Sequence, residues 1–309
     1  MKAVFMGTPD FSVGTLNAMY EAGHEIAAVF TQPDKQKGRG KSVLMTPVKE
    51  KALELGIPVY QPAKLREQEN YELLKSINPD VIVVVAYGQL ISKEILELPR
   101  YGCINVHASL LPKYRGAAPI QWAVIDGEHE SGVTTMKMDE KLDTGDMIMK
   151  TVVELDSNET GGSLHDKLAD EGAKLLVKTL KAIEDGTAIY TKQDDSQMTY
   201  AKKLTKELGH IDFSMDAKQI ERLIRGLNPW PSAYTSFEGK TLKIWAAKVS
   251  DEQYDALDGT IVEVSKNDFT VKTAQGSLII KEVQLEGKKR MDAGSFLRGT
   301  KVETGTILR

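Results

Sequence analysis

The sequence of 309 residues contains a single cysteine, Cys103, and this scarcity narrows the chemistry open to the protein. One thiol cannot form a disulfide within the chain, and it cannot build a thiolate metal site by itself. A chain so poor in cysteine suits a reducing compartment, which favours the cytoplasm. We expect Cys103 itself to be a small buried residue of a strand rather than a reactive thiol.

Long hydrophobic runs are also missing from the chain. The longest wholly apolar run covers residues 81–86, whereas a membrane-spanning helix needs roughly 20 such residues. The chain opens directly on a strand-like segment, residues 2–6, without a basic leader or a small-residue cleavage site. Both features predict a cytoplasmic protein without membrane partners.

A strong excess of positive charge is absent as well. The formal net charge is −4, so the molecule as a whole does not attract nucleic acid, and any RNA contact must come from a local patch. With 41% hydrophobic and 27% charged residues the composition is that of an ordinary soluble globular protein. The length is sufficient for two domains.

The first half of the chain alternates β-branched runs with helical patterns. Strands are expected at residues 2–6, 25–30, 58–61, 80–86 and 103–106. This alternation is typical of a parallel sheet covered by helices on both faces, so we predict an α/β fold with a Rossmann-like domain over residues 1–186. A further pair of strands, residues 131–138 and 147–155, is expected to flank Asp143.

The three-glycine fingerprint of dinucleotide-binding proteins is missing after the first strand. That position carries Gly7, followed by Thr8, Pro9 and Asp10, and the last two are poor neighbours for a pyrophosphate. We therefore predict no nicotinamide site, and a nicotinamide oxidoreductase is disfavoured.

The last third of the chain has a different pattern. Residues 187–208 are polar and weakly periodic, which predicts a linker. A second domain, residues 209–309, begins with a helix capped by Asp216 and continues in short strands at residues 241–245, 259–264, 269–273 and 277–283. Closely spaced strands of this kind suggest a small barrel. For Trp230 and Trp245, buried packing is favoured over base stacking.

Three polar side chains carry the most informative chemistry. Residues two apart in a strand point to the same face, so Asn105 and His107 project together. An Asn amide donates to an oxyanion, a His transfers protons near neutral pH, and an acid such as Asp143 orients the imidazole. These are the groups needed to move an acyl unit between two nitrogens. A covalent nucleophile is not required if the substrate's own amine attacks. Taken alone, the short Asn-x-His pattern is more typical of polar residues at a strand end that are satisfied by backbone.

Longer motifs settle this choice. The run from Asn105 to Pro112, the run from Tyr114 to Trp122, and Leu142 to Gly145 together resemble the folate-dependent formyltransferases that use 10-formyltetrahydrofolate. Residues 4–11 and 226–235 are similar to the branch of that superfamily whose acceptor is initiator methionyl-tRNA. The resemblance covers essentially the whole chain. It implies that Asn105, His107 and Asp143 are catalytic, that no metal is used, and that the C-terminal domain is OB-like and binds tRNA.

The same resemblance implies where the folate donor is held. It carries over a contact with the donor to the segment Ser109, Leu110, Leu111 and Pro112. In open parallel sheets, ligands bind beyond the carboxyl ends of the strands. A second segment that follows a strand therefore shares the predicted donor crevice, and it consists of Ala86, Tyr87, Gly88, Gln89 and Leu90.

A glycine-rich basic loop is the candidate for RNA contact. Its cations are Lys35, Lys37, Arg39 and Lys41. Alternating cations contact phosphates without selecting a sequence. Taken alone, a solvated loop is the favoured interpretation, but the resemblance implies that this loop enters the acceptor-stem region of initiator tRNA. Residues 207–309 contain 15 Lys and Arg against 15 Asp and Glu, so an RNA surface in that domain must be one-sided.

Two other functions stay open from the sequence. The same formyl transfer to a small amine, such as a sugar nucleotide or glycinamide ribonucleotide, uses the same catalytic residues but leaves the basic loop and second domain unexplained. An RNA-binding protein on a catalytically idle scaffold explains the second domain but not the three polar residues. Nothing in the sequence demands an oligomer, so we expect a monomer.

Overall fold

The computed structural model describes residues 1–36 and 43–309. Lys37, Arg39 and Lys41 of the basic loop lie outside these residues. The helices are α1 Val13–Glu21, α2 Pro47–Glu54, α3 Gln68–Ile77, α4 Lys93–Leu96, α5 Pro119–Asp126, α6 Gly161–Glu184, α7 Ala217–Gly226 and α8 Ala293–Gly299. The strands are β1 Lys2–Gly7, β2 Glu25–Phe30, β3 Lys35–Gln36, β4 Val43–Leu44, β5 Val59–Tyr60, β6 Val81–Val85, β7 Cys103–His107, β8 Arg115–Gly116, β9 Glu130–Lys137, β10 Met147–Glu154, β11 Tyr200–Ala201, β12 Ala233–Phe237, β13 Lys240–Ser250, β14 Ile261–Val264, β15 Phe269–Lys272, β16 Ser277–Leu285 and β17 Met291–Asp292.

The chain forms two compact units that are not continuous in sequence. The first consists of Met1–Pro119, Glu130–Glu154 and His165–Ala201, and the second of Ile120–His129, Leu155–Leu164 and Lys202–Arg309. The predicted linker at residues 187–208 contains β11 and the buried side chain of Gln193. The domain limits at 186 and 208 stay predictions.

The described residues of the first unit build a seven-stranded sheet. Its order is β10-β9-β7-β6-β1-β2-β5, in which the strands from β7 to β5 run parallel while β9 and β10 are antiparallel. The predicted Rossmann-like α/β architecture is confirmed. The strand pair flanking Asp143 also forms, as the β9-β10 hairpin.

The centre of this sheet is apolar because its strands are covered on both faces. Every residue of β6 is buried, and four of its five residues are valine. The β-branched side chains fit the pleated surface and lose little rotamer freedom on burial. Helix α6 packs closely across β7 and β9, since a Cβ on its Gly172 would lie 3.0 Å from Val106. Its Leu168, Leu176 and Leu180 are fully buried.

Side chains that follow β1 fix the loop that follows β6. The hydroxyl of Ser12 donates to the Val85 carbonyl at 2.6 Å, and that of Thr8 donates to the Tyr87 carbonyl at 2.9 Å. Because β1, β6 and β7 are parallel neighbours, their carboxyl ends meet at one edge of the sheet. The residues after Val85 and the residues after His107 therefore lie along the same edge, where ligands of such folds bind.

The second unit contains an antiparallel sheet packed against one amphipathic helix. The order is β12-β13-β16-β15-β14, with β17 on β16. Helix α7 begins at the predicted cap, where Asp216 accepts from the Lys218 N–H at 2.7 Å as part of a capping box. Its Ile220 and Ile224 join the buried cluster of the sheet.

The predicted small, OB-like barrel is not confirmed. Across residues 202–309, all of which are described, β12 and β14 form the two edges of the sheet and do not pair with each other.

The expected burial of Trp230 is wrong, because its side chain is 55% exposed. Within residues 1–36 and 43–309, no helix is long and apolar enough to cross a membrane.

Cys103 is fully buried at the start of β7, as expected. Burial raises the pKa of its thiol to about 12, because the thiolate form loses its hydration. Since the thiolate is the reactive form, this cysteine is unreactive near neutral pH.

Candidate active site

His107 lies at the end of β7 with only 7% of its surface exposed. Its Nε2 is 3.0 Å from the carbonyl oxygen of Tyr114, and its Nδ1 is 3.7 Å from Oδ1 of Asp143. A carbonyl oxygen only accepts, so Nε2 carries a proton. The Asp143 carboxylate faces the other ring nitrogen at a distance longer than a hydrogen bond. The structure thus brings together two of the three predicted catalytic residues.

Asp143 is held in an uncommon backbone conformation. Its φ is +53°, in the left-handed region that Asp tolerates better than most residues. The N–H of Gly116 donates to its Oδ2 at 2.8 Å, which leaves Oδ1 directed at His107. Earlier in the same loop, Oδ1 of Asp139 accepts from the Thr144 hydroxyl at 2.6 Å and closes the turn. The carboxylate therefore has a fixed direction.

Asn105 occupies the middle of β7, where it pairs with Val84 of β6 and Met136 of β9. It is two residues from His107 in a strand, so both side chains project from the same face, as the sequence predicts. The side chain is half-buried, and its amide has no hydrogen-bond partner within the described part of the chain. Its donor is thus oriented by a central strand and not consumed by a neighbour.

Arg115 and Gln193 are two polar residues near Asp143 for which the sequence predicts no role. Arg115 is 5% exposed, and its Nε donates to Oε1 of Gln193 at 3.0 Å. The second donor of the guanidinium reaches Oδ1 of Asp195 at 2.7 Å. In turn, Nε2 of Gln193 donates to the Asp143 carbonyl at 2.9 Å. Arg115 adjoins a recognised motif, but Gln193 lies in the predicted linker with no local signal.

The predicted donor segment Ser109–Pro112 is held from within the protein. The hydroxyl of Thr134 donates to the Ser109 carbonyl at 2.7 Å, and the Oγ1 atom of Thr134 also accepts from the Leu111 N–H at 3.2 Å. The ammonium of Lys150 donates to the Leu111 carbonyl at 2.5 Å, and desolvation lowers the pKa of this lysine. Ser109 and Leu111 are buried, while Leu110 and Pro112 are half-buried. The segment therefore presents a rigid, mainly apolar surface.

The second predicted donor segment turns sharply at the sheet edge. Ala86 and Gly88 have φ values of +47° and +85°. Tyr87 is buried, and desolvation raises the pKa of its hydroxyl. The Gln89 side chain accepts from the Leu65 N–H at 2.7 Å. Leu90 follows with 88% of its surface exposed, so it offers the one large apolar contact of residues 86–90.

A cavity of about 810 Å³ lies beside the loop that carries Asp143. Its lining includes Leu96, Met138, Thr144 and Gln193. The volume falls within the usual range for small-molecule sites, roughly 300–1,000 Å³. Residues 86–90 and 109–112 do not contribute to this lining. The cavity is therefore a further candidate location for a ligand near the same loop.

The base of the basic loop is anchored on both sides. The hydroxyls of Thr31 and Thr46 share a hydrogen bond of 2.8 Å in the interior. Lys49 reaches Oδ2 of Asp34 at 2.5 Å. Hydrogen bonds from Lys49 and then Gln61 lower the pKa of the Asp34 carboxyl. Lys35 follows and is exposed, whereas the placement of Lys37, Arg39 and Lys41 is outside the described residues.

The second unit carries an aromatic residue flanked by cations. The Arg290 guanidinium lies 4.6 Å from the Trp245 ring centre, and the Lys243 ammonium lies 5.6 Å from it. Arg290 is also held by Glu282, in a bond of 2.7 Å from Nε. Trp245 is half-buried, so it combines packing with a partly accessible ring.

Among the residues that the structure describes, no group of three or more His, Cys, Asp or Glu could hold a metal ion.

Comparison with known sequences identifies both parts of the chain. Residues 1–180 match the family described as formyl transferase, and residues 203–301 match the family described as formyl transferase, C-terminal domain. A methionyl-tRNA formyltransferase from Agathobacter rectalis is 63% identical, with 99% of each chain covered. One from Clostridioides difficile is 54% identical, with 100% of each chain covered.

The fold is also found among solved structures. An N-formyltransferase from Helicobacter canadensis, solved in complex with folinic acid and dTDP-3-aminofucose, has a TM-score of 0.67 to this chain. The two are 20% identical, and the match covers 91% of this chain and 98% of the other. At that identity the likeness supports the fold alone.

The loop that carries Asp143 closes so tightly that Gly145 has no room for a side chain. A Cβ there would lie on the Lys137 carbonyl, whereas a Cβ at Gly14 of α1 would meet only Ala173 at 4.0 Å. We expect Gly145→Ala to lower the free energy of unfolding by about 1–3 kcal/mol, because the backbone must shift. Gly14→Ala is the control, and it should raise stability by roughly 0.5–1 kcal/mol. Equal melting temperatures for the two variants would contradict the tight closure.

Proposed function

Since the chain belongs to the methionyl-tRNA formyltransferase family, we propose that Asn105, His107 and Asp143 carry out its transfer step. The reaction moves the formyl group of 10-formyltetrahydrofolate to the free amino group of methionyl initiator tRNA. Its product is the formylmethionyl-tRNA used to start translation. The observation that supports the residue assignment most strongly is the buried approach of the Asp143 carboxylate to the His107 imidazole, at 3.7 Å.

Asn105 and His107 provide the stabilisation of negative charge. As the methionyl amine attacks the formyl carbon, charge develops on the formyl oxygen. The Asn105 amide N–H stands on the same face of β7 as His107 and donates to that oxygen. Nδ1 of His107 lies beyond hydrogen-bond distance of Asp143 and, when it carries a proton, provides a second donor to the same oxygen. Donors fixed in advance cost no reorganisation during the reaction, which makes them effective in a partly dehydrated site.

Asp143 has two connected tasks in this proposal. Its Oδ1 faces Nδ1 of His107 and orients the imidazole. Its carboxylate also accepts, through a water molecule, the proton that the amine must lose. Removal of that proton allows the new bond to nitrogen to persist, and transfer of a proton to the folate nitrogen allows its bond to the formyl carbon to break.

The donor is proposed to lie along the carboxyl edge of the sheet. The rigid segment Ser109–Pro112 and the segment Ala86–Leu90 provide apolar contacts there. The donor supplies the activated one-carbon unit, and the residues of this chain bind it, orient it and exclude water.

The acceptor is proposed to contact two surfaces. Lys35, Lys37, Arg39 and Lys41 of the basic loop bind phosphates of the acceptor stem. The second unit, for which we propose an OB-like variant of an antiparallel sheet, presents Lys243, Trp245 and Arg290 to the tRNA. A cation beside an aromatic ring is an effective platform for nucleic acid. A small-amine acceptor is not favoured, because it leaves both surfaces without a role.

We also propose that the protein acts in the cytoplasm as a monomer. The single cysteine is buried, as suits a reducing compartment. The three proposed catalytic residues lie on one chain, so the site requires no second copy.

Alanine substitutions test the catalytic assignment. Asn105→Ala should lower kcat about 10²- to 10³-fold, and His107→Ala or Asp143→Ala about 10²- to 10⁴-fold. KM for either substrate should change little, because these groups act mainly on the transition state. Formylation of initiator methionyl-tRNA with 10-formyltetrahydrofolate is the assay. Asp185→Ala, which removes a surface ion pair of α6, is the matched control and should keep normal kcat. Near-normal turnover in folded Asp143→Ala would refute the role of Asp143.

Alanine at the four cations of the basic loop tests the contact with tRNA. The fourfold variant at Lys35, Lys37, Arg39 and Lys41 should raise KM for the charged tRNA at least about tenfold, because phosphate contacts are lost. The salt dependence of KM should weaken as well, while KM for the folate stays constant. Arg66→Ala, at an exposed arginine outside the loop, is the control. An unchanged KM with an unchanged salt dependence would exclude the loop from the interface.

A further inference from the structure

Gln193 is a buried residue whose whole side-chain amide is engaged. It is 7% exposed. Its Nε2 donates to the Asp143 carbonyl at 2.9 Å and to the Gly145 carbonyl at 2.8 Å. Its Oε1 accepts from Nε of Arg115 at 3.0 Å. A single side chain thus clamps the backbone on both sides of Thr144, the residue next to the Asp143 carboxylate.

The orientation of this amide is fixed by chemistry. A guanidinium donates and never accepts, so the amide oxygen of Gln193 must face Arg115. The amide nitrogen must then face the two carbonyls, which only accept. Arg115 is itself fixed, since its other donor reaches Asp195 at 2.7 Å. The hydrogen bonds that join Arg115, Gln193 and the two loop carbonyls therefore have a single arrangement, with Gln193 at their centre.

Asp143 needs such a clamp because of its backbone conformation. A residue other than glycine at positive φ is strained, and this strain persists only where the surroundings enforce it. The φ of Asp143 is +53°, and the three residues before it in the loop are exposed. Gln193 supplies two hydrogen bonds at the point of strain. Without them, the loop can relax and turn the carboxylate away from His107.

We propose that Gln193 is a positioning residue that holds the Asp143 carboxylate against His107 through the backbone of the Asp143 loop. This inference rests on the proposed function of Asp143 and extends it to a residue that does not touch the reacting atoms. It also assigns a task to Arg115, whose guanidinium orients the Gln193 amide. The effect on the reaction then passes only through Asp143.

Two substitutions separate the parts of the clamp. Gln193→Glu keeps an oxygen for Arg115 but replaces the donating nitrogen with a second acceptor that faces two carbonyls. Gln193→Ala removes both contacts. Gln197→Ala is the matched control, because Gln197 is an exposed glutamine of the same segment that bonds only Asp194. Thermal unfolding identifies which variants are folded, and Gln193→Glu decides the question if Gln193→Ala is not.

The test is a double-mutant comparison in the formylation assay. We expect Gln193→Glu to lower kcat about 10- to 100-fold, the loss typical of a small misplacement of a catalytic group, with both KM values within about twofold. In the Asp143→Ala background the same substitution should change kcat less than about twofold, since no carboxylate is left to position. Gln197→Ala should leave kcat normal in both backgrounds.

Three results would overturn the proposal. Normal kcat in folded Gln193→Glu would show that the clamp does not matter for turnover. An equal loss of kcat in both backgrounds would assign Gln193 a structural role that does not pass through Asp143. Near-normal kcat in Asp143→Ala alone would refute the proposed function of Asp143, and the positioning role with it. The first two leave the catalytic assignment of Asp143 intact.

Discussion

The approach of the Asp143 carboxylate to the His107 imidazole is the interaction on which the rest of the site depends. Each partner comes from a different kind of structure, one from a central strand and one from a loop. The strand is rigid because both faces of the sheet are buried. The loop has few apolar contacts, so polar bonds from Gly116 and Gln193 must hold it. The two partners of this contact are thus held in place by different physical means.

This difference explains the composition of the surroundings. Around His107 the sheet provides Val and Ile side chains. Their burial stabilises the strand, but apolar contacts do not fix the direction of a polar group. Around Asp143 the protein uses Arg115 and Gln193, which are buried polar groups joined to each other and to the loop backbone by hydrogen bonds. Such networks specify a single arrangement when complete and are costly when incomplete. The hydrogen bonds of Arg115 and Gln193 thus fix the direction of the Asp143 carboxylate, which apolar packing alone does not fix.

Much of the fold follows from local patterns in the sequence. The strands of the first unit are confirmed because β-branched runs between helical patterns have few alternatives, and a period of two places Asn105 and His107 on one face. Long-range features are different. Gln193 meets Arg115 across 78 positions of sequence, and its own neighbours are ordinary surface residues. The exposure of Trp230 and the open edges of the second sheet likewise depend on packing between distant segments, which composition does not encode.

The most direct test of the central claim is a double-mutant cycle in the formylation assay, with His107→Ala, Asp143→Ala and the variant that carries both substitutions. The account predicts that the two side chains act as a unit, so the double variant loses little more kcat than the more impaired single variant. Losses of kcat that multiply would show that the carboxylate and the imidazole act independently, and would contradict the account.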